Sequence, residues 1–188
     1  VLYYKRLDAI SLDKTDSIKL ISHDFALKMT VRKESEAHES LYRSGVYLTE
    51  KDKFVAAAIL LRHAFSQAAK HNDDDYQILI ALGFSELFYR QMTMDSAFYY
   101  TDFAFRKAEA SGNHTYDQQI YNDFARIADL KGERYKAIEW YLKSAELWRQ
   151  QKDTLRLAIV LGNIGSLHIN LKNYDLAIDY LMQAVKLH

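Results

Sequence analysis

The sequence contains no cysteine and no proline, and it carries no net charge. Without cysteine, disulfide bonds and thiolate metal sites are excluded. The 25 basic and 25 acidic side chains balance, so the chain lacks the positive field with which many proteins attract nucleic acid or anionic membranes. We therefore expect no nucleic-acid partner for these 188 residues.

Long apolar runs and turn-forming residues are also scarce. No uncharged apolar segment approaches the ~20 residues of a membrane-spanning helix, and no signal-peptide pattern is visible, so we expect no membrane insertion in this segment. With only six glycines and no proline, long uninterrupted helices are favoured over strands. Because the sequence starts at Val1 and stops at His188 within a helical pattern, we interpret it as a piece of a longer product.

A 40-residue repeat runs through most of the chain. Alanine recurs at this interval, at Ala57, Ala97, Ala137 and Ala177. Twelve positions before each alanine stands another small residue: Gly45, Ser85, Ala125 and Gly165. Seven positions after each alanine the residue is again small: Ala64, Ala104, Ser144 and Ala184. A fixed period of this length is typical of a solenoid built from stacked supersecondary units.

Each unit predicts two antiparallel helices, because apolar residues recur at three- and four-residue steps on both sides of a short polar turn. The predicted fold is all-α, a right-handed superhelical solenoid of about five helical hairpins in a single domain over residues 1–188. Residues 1–34 form a degenerate unit, and complete repeats follow at 35–73, 74–113, 114–152 and 153–188. Small residues such as Gly165 allow the two helices of a unit to approach closely.

Residues 161–165 (Leu-Gly-Asn-Ile-Gly), 173–180 and 132–139 resemble the tetratricopeptide repeat. The 40-residue unit is longer than the usual ~34, and in this it is similar to the repeats of bacterial sensor histidine kinases and of peptide-responsive transcriptional regulators. The resemblance implies a module that binds a protein or a peptide. The favoured setting is the periplasmic sensing region of a membrane-anchored regulator; a cytoplasmic adaptor or a fragment of a peptide-responsive transcriptional regulator is the alternative.

In this family the first helix of each hairpin lines a concave groove, which implies a set of candidate ligand-binding residues. They are Tyr42, Val46, Glu86, Tyr89, Asn122, Arg126, Asp129, Asn163 and Ser166. Asn122 and Asn163 suit a peptide backbone, and Arg126 suits a carboxylate. The alternative for Arg126 is an ion pair within its own helix, with Asp123 or Asp129.

No motif in the sequence predicts catalysis. A His-Glu-x-x-His pair, a phosphate-binding glycine loop and a nucleophile elbow are all missing. His168 falls on a packed helix face, where a core residue is expected. We therefore expect no catalytic residue, no metal ligand and no cofactor here; any enzymatic activity would belong to a domain outside this segment.

Two further apolar segments are candidates for contact with another protein or with a second copy of this chain. Residues 98–105 contain five aromatic side chains, for which core packing is favoured and a partner or dimer patch is the alternative. The last helix carries an apolar face that no following unit covers, formed by Ile178, Leu181, Met182 and Val185. We expect this face to form a homo-oligomer or to be covered by further repeats after His188.

Overall fold

The structure, a computed structural model, describes residues 34–187. This part of the chain forms eight α-helices and no strand, which confirms the all-α prediction. In chain order the helices are α1 (Glu34–Glu50), α2 (Phe54–Lys70), α3 (Asp74–Arg90), α4 (Met94–Ser111), α5 (Asp117–Leu130), α6 (Arg134–Gln150), α7 (Thr154–Asn170) and α8 (Tyr174–Lys186). The degenerate unit predicted for residues 1–34 lies outside the described residues, apart from its last position.

The turns between these helices share one backbone geometry. Each places one residue in the left-handed region, at intervals of 20 residues: Asp52, Asn72, Met92, Gly112, Gly132, Lys152 and Lys172. In every turn the next amide donates to the carbonyl five residues earlier, as Lys53 does to Leu48 at 2.9 Å. This Schellman arrangement satisfies carbonyls at the end of one helix. Two of the following helices, α3 and α7, are capped by aspartate side chains, Asp73 and Asp153.

The two helices of each hairpin meet at the small residues of the repeat. Ala57, Ala97 and Ala137 are fully buried, and Ala177 is nearly so. At Gly165 an added Cβ would lie 2.8 Å from Cγ of Leu181, and Gly45 has the equivalent contact with Leu61. The close approach expected from the glycine pattern is therefore present in both the first and the last described hairpins.

Consecutive helices pack against each other along the whole described chain, and the first helix α3 also contacts the first helices α1 and α5. This arrangement gives a layer of first helices and a layer of second helices, with an apolar core between them. His168 belongs to this core, as expected: it is buried, and its ring stacks on Tyr180 with centroids 5.5 Å apart.

The aromatic side chains of residues 98–105 mostly pack inside the molecule. Tyr100 is buried and stacks on Phe84 at 4.7 Å between centroids, whereas Phe105 contacts Phe124 on the following helix. Phe98 is 42% exposed and borders a small cavity of about 150 Å³ beside Trp140. The segment thus joins neighbouring units, and core packing accounts for most of it.

In residues 34–187 no helix combines the length and the apolar character that crossing a bilayer requires.

Candidate functional site

A cavity of about 360 Å³ lies against the layer of first helices. Its walls come from α1, α3, α5 and the N-terminal half of α7, with Trp148 added from α6. Tyr42, Val46, Leu82 and Ile159 supply apolar surface, and most of the other lining side chains are polar or charged. Ligand sites combine apolar walls with converging polar groups, and in this cavity the polar share is large.

Gly83 shapes the part of the cavity between α1 and α3. A Cβ at this position would lie 3.2 Å from Leu61 and 3.3 Å from the ring of Tyr42, so the missing side chain lets that ring lie close to the α3 backbone. Burial raises the pKa of Tyr42 to about 12, helped by the neighbouring Tyr116 and Tyr76. The Tyr42 hydroxyl therefore stays protonated at neutral pH and can donate a hydrogen bond to a ligand.

A chain of ion pairs crosses the cavity from one repeat to the next. Arg126 donates to Glu86 at 2.7 Å and approaches Asp123 at 3.5 Å. Arg90 donates to Glu86 at 2.7 Å and to Asp52 at 3.3 Å. Glu86 and Arg126 occupy equivalent positions of adjacent repeats, 40 residues apart. Their pairing links α3 to α5 directly at the cavity surface.

Arg126 is held on a second side by an aromatic ring. Its guanidinium lies 3.9 Å from the ring centre of Tyr89, a cation–π geometry. Burial by itself would lower the pKa of Arg126, but Asp123 and Glu86 outweigh burial and raise that pKa. Arg126 is therefore a fixed positive group whose partners are already in place.

Asp123 is the most deeply buried carboxylate of the cavity, with 6% of its surface exposed. Burial raises its pKa to about 7, and the negative charge of Glu86 adds to this rise. Arg126 and a hydrogen bond with Asn122 act in the opposite direction and only partly compensate. A carboxylate in this environment is close to half-ionised at neutral pH.

Five of the nine residues predicted for the groove line this cavity: Tyr42, Val46, Glu86, Asn122 and Arg126. Tyr89 lies beneath Arg126, and Asp129 is half-buried in α5 without reaching the cavity. Asn163 and Ser166 are on α7 beyond it, and the Ser166 hydroxyl donates to the Gly162 carbonyl. Of the two intrahelical partners predicted for Arg126, Asp123 is in place at 3.5 Å, whereas the shorter contact, to Glu86 of the adjacent repeat, was not predicted.

Several lining residues were not predicted as ligand-binding residues. The sequence predicts Asp123 only as an ion-pair partner of Arg126, and it gives Arg90, Trp148 and Arg156 no place in the groove. Two signals were available in the sequence. Arg90 stands four residues after Glu86, the spacing of an intrahelical ion pair, and Glu86 and Arg126 are opposite charges at the same repeat position.

Comparisons with known proteins agree with this architecture. Residues 116–188 match the family model described as tetratricopeptide repeat. The chain is also similar to the crystal structure of BtubC (BKLC) from P. vanneervenii, with a TM-score of 0.73 and 20% sequence identity over 93% of this chain and 68% of that chain. A search of curated proteins finds no significant match. The match over residues 116–188 and the similarity to this structure both agree with an all-α helical-repeat fold along the described chain.

Proposed function

We propose that this chain is a protein-binding module whose concave groove, centred on the 360 Å³ cavity, holds a peptide segment. Tetratricopeptide repeats are typically non-catalytic interaction modules. The observation that carries the proposal is the cavity itself, because it draws its walls from four first helices, the surface that a ligand lying along the repeats would touch. We propose no enzymatic activity for this segment.

The lining chemistry suits a peptide. Gln119 and Asn122 offer amide donors and acceptors from α5, which can pair with a peptide backbone. Ile159 is 54% exposed although it is apolar, so a ligand side chain can cover it. Tyr42 adds a flat wall of the kind that frequently anchors binding partners.

A peptide-display selection tests this function. Random peptides would be selected on the immobilised chain, and the affinity of the enriched sequences measured by fluorescence polarisation. Ile159→Arg places bulk and charge in the cavity, and we expect it to weaken binding at least about tenfold, equivalent to ~1.4 kcal/mol. Leu142→Arg on α6 is the matched control, since Leu142 is 43% exposed and does not line the cavity.

The control variant should bind within about twofold of the parent chain, a difference well under 1 kcal/mol. Equal loss in both variants would place the binding surface outside the cavity. Failure to enrich any peptide would contradict the proposal that the groove is a peptide site.

For the wider setting we propose the sensing region of a bacterial membrane-anchored regulator, outside the cytoplasm. The support is the 40-residue unit and its resemblance to sensor-kinase repeats. Ligand binding would alter the Glu86–Arg126 ion pair between repeats and thereby change the curvature of the solenoid. This change in curvature would then move a helix that follows this segment in the longer protein. The alternative is a cytoplasmic adaptor or a peptide-responsive transcriptional regulator.

The native gene on both sides of this segment separates these settings. A secretion signal upstream with a membrane helix and a kinase domain downstream supports the sensor. A DNA-binding unit upstream, or stop codons near both ends, would contradict it and support the cytoplasmic alternative.

We also propose that α8 pairs with α8 of a second copy. Ile178, Met182 and Val185 are all exposed on this helix, as their positions in the repeat predicted, and Leu181 is half-buried against Gly165. Light scattering from micromolar to millimolar concentration should show a dimer that Val185→Glu returns to a monomer. A monomeric mass throughout would contradict the pairing and leave further repeats as the cover for this face.

A further inference from the structure

The arginines and the carboxylates around the cavity differ in whether they are free to pair with a ligand. Each lining arginine already has carboxylate partners: Arg90 has Glu86 and Asp52, Arg126 has Glu86 and Asp123, and Arg156 has Asp153 at 2.7 Å. A carboxylate of a ligand would therefore have to displace carboxylates of the protein. The arginines of the cavity are poorly suited to recruit an anion.

The carboxylates, in contrast, exceed their partners. The ion-pair chain contains Asp52, Glu86 and Asp123 against two guanidinium groups, so three negative charges face two positive ones when Asp123 is ionised. Glu50 lines the same cavity and forms no ion pair with another described residue. Asp52 does not line the cavity, so the carboxylates of its wall that lack a close guanidinium are Glu50 and Asp123.

Asp123 is the group of this set that gains most from a new partner. More than nine-tenths of it is buried, it lines the cavity, and its ion pair with Arg126 is long at 3.5 Å. A buried carboxylate is costly to keep ionised unless a positive group compensates it. A cation entering the cavity would supply that compensation.

The surroundings of Asp123 also suit the stem of a basic side chain. Tyr42 and Leu82 provide apolar walls, and long basic side chains bury their methylene groups along such surfaces while the charged end reaches a polar site. The cavity volume of about 360 Å³ leaves room for one such side chain with part of its backbone.

We propose that the cavity selects peptides that carry a positively charged side chain, with Asp123 and Glu50 as its anionic partners. This inference rests on the peptide-binding function proposed above and adds the chemical class of the ligand. The peptide lies along the first helices, and its arginine or lysine enters between α1, α3 and α5.

Binding of this kind is coupled to protonation. The charged and titratable groups facing Asp123 are Tyr42 from α1, Glu86 and Tyr89 from α3, Arg126 from its own helix, Tyr141 from α6 and Arg156 from α7. Helix α4 meets α5 through the apolar Phe98 and Phe105. Because burial raises the pKa of Asp123 to about 7, a cation that requires ionised Asp123 should bind about tenfold more weakly at pH 6 than at pH 8.

Matched peptide pools test the charge preference. The probes are hexapeptides acetylated at one end and amidated at the other, with one fixed arginine, citrulline or glutamate, added to the parent chain and to Asp123→Asn. Citrulline matches arginine in shape and lacks its charge. We expect the arginine pool to bind at least about tenfold more tightly than the citrulline pool, a difference of ~1.4 kcal/mol.

Asp123→Asn should remove most of this preference and all of the pH dependence, while Asp179→Asn, an exposed position on α8, should change neither. Circular dichroism checks that each variant folds, and Glu50→Gln, which alters an exposed side chain, should reduce the preference in the same direction. Equal binding of the arginine and citrulline pools, or tighter binding of the glutamate pool, would overturn the cationic ligand and leave the peptide-binding function standing. If no pool and no display-selected peptide binds, both proposals fail.

Discussion

Two neighbouring positions of the repeat differ in how much their residues vary: one lies at the interface inside each hairpin, and the other lies on the concave surface. At the interface, positions 45, 85, 125 and 165 are always small: Gly, Ser, Ala and Gly. One residue later, on the concave side, the same row reads Val46, Glu86, Arg126 and Ser166. Packing within the hairpin leaves no room for larger side chains, whereas the groove imposes no common size. The residues that recur every 40 positions are therefore those that pack inside the hairpins. The positions whose residues differ from repeat to repeat lie on the surface available to a ligand.

The largest effect should come from enlarging the interface. Ala137 has no exposed surface, so Ala137→Trp must separate α5 from α6, and we expect a loss of about 3 kcal/mol or more in the free energy of unfolding. Glu139→Trp, two residues later and exposed, is the control. Urea unfolding followed by circular dichroism measures both; similar midpoints for the two variants would contradict the assigned packing face.

The next effect belongs to the concave surface and depends on pH. The pKa of Asp123 rises from 3.8 to about 7 on folding, so the folded state holds its proton more tightly than the unfolded state. This contribution to stability is complete below pH 4 and is lost as the pH rises through 7. Asp123→Asn lacks it, so the parent chain should lose about 3–4 kcal/mol relative to the variant between pH 4 and pH 8.

Unfolding free energies of the two proteins at several pH values provide the test. A constant difference across this range would show that Asp123 has an ordinary pKa in the folded protein.

Two glycines three residues apart on α7 sharpen the comparison further. An added Cβ at Gly165 would lie 2.8 Å from Cγ of Leu181, so Gly165→Ala should destabilise the protein by about 1 kcal/mol. An added Cβ at Gly162 meets nothing within 4 Å, and alanine is the better helix former, so Gly162→Ala should stabilise by about 0.5–1 kcal/mol. Thermal denaturation of both variants shows whether each substitution raises or lowers the stability. If both change it in the same direction, Gly165 and Gly162 lie in similar environments, contrary to the structure.

The smallest effect concerns the turns, where geometry repeats although the residues differ. Met92 adopts a positive φ of 59°, as Gly112 and Gly132 do at equivalent turns. Met92→Gly removes the steric cost of this conformation, and we expect a gain of about 0.5–1 kcal/mol. Differential scanning calorimetry can resolve this change; a lower melting temperature would indicate that the Met92 side chain makes a stabilising contact.

Much of the fold is predictable because packing constraints recur every 40 residues. The alanine and glycine rows, the helix pairs and the buried His168 all follow from spacing. The groove was predicted only in part. Five of the nine predicted residues line the cavity. Its ion-pair chain could not be predicted, because it depends on distances between helices of different repeats, and the periodicity of a single helix gives no such distances. The depth of Asp123 was also missed, because burial at the concave surface depends on how closely α3 and α5 approach.

The left-handed turn residues stand 20 positions apart without exception in the described chain, even where α5 begins late, at Asp117. Each residue of an α-helix advances the side-chain direction by about 100°. Deleting one residue inside a helix would therefore turn every later position in that helix away from its partner, whatever its chemistry. Over time such a chain can exchange almost any groove side chain, but it can change its length only in the turns or by whole hairpins. The 20-residue spacing therefore constrains the number of residues in each helix and turn more strongly than it constrains their identities.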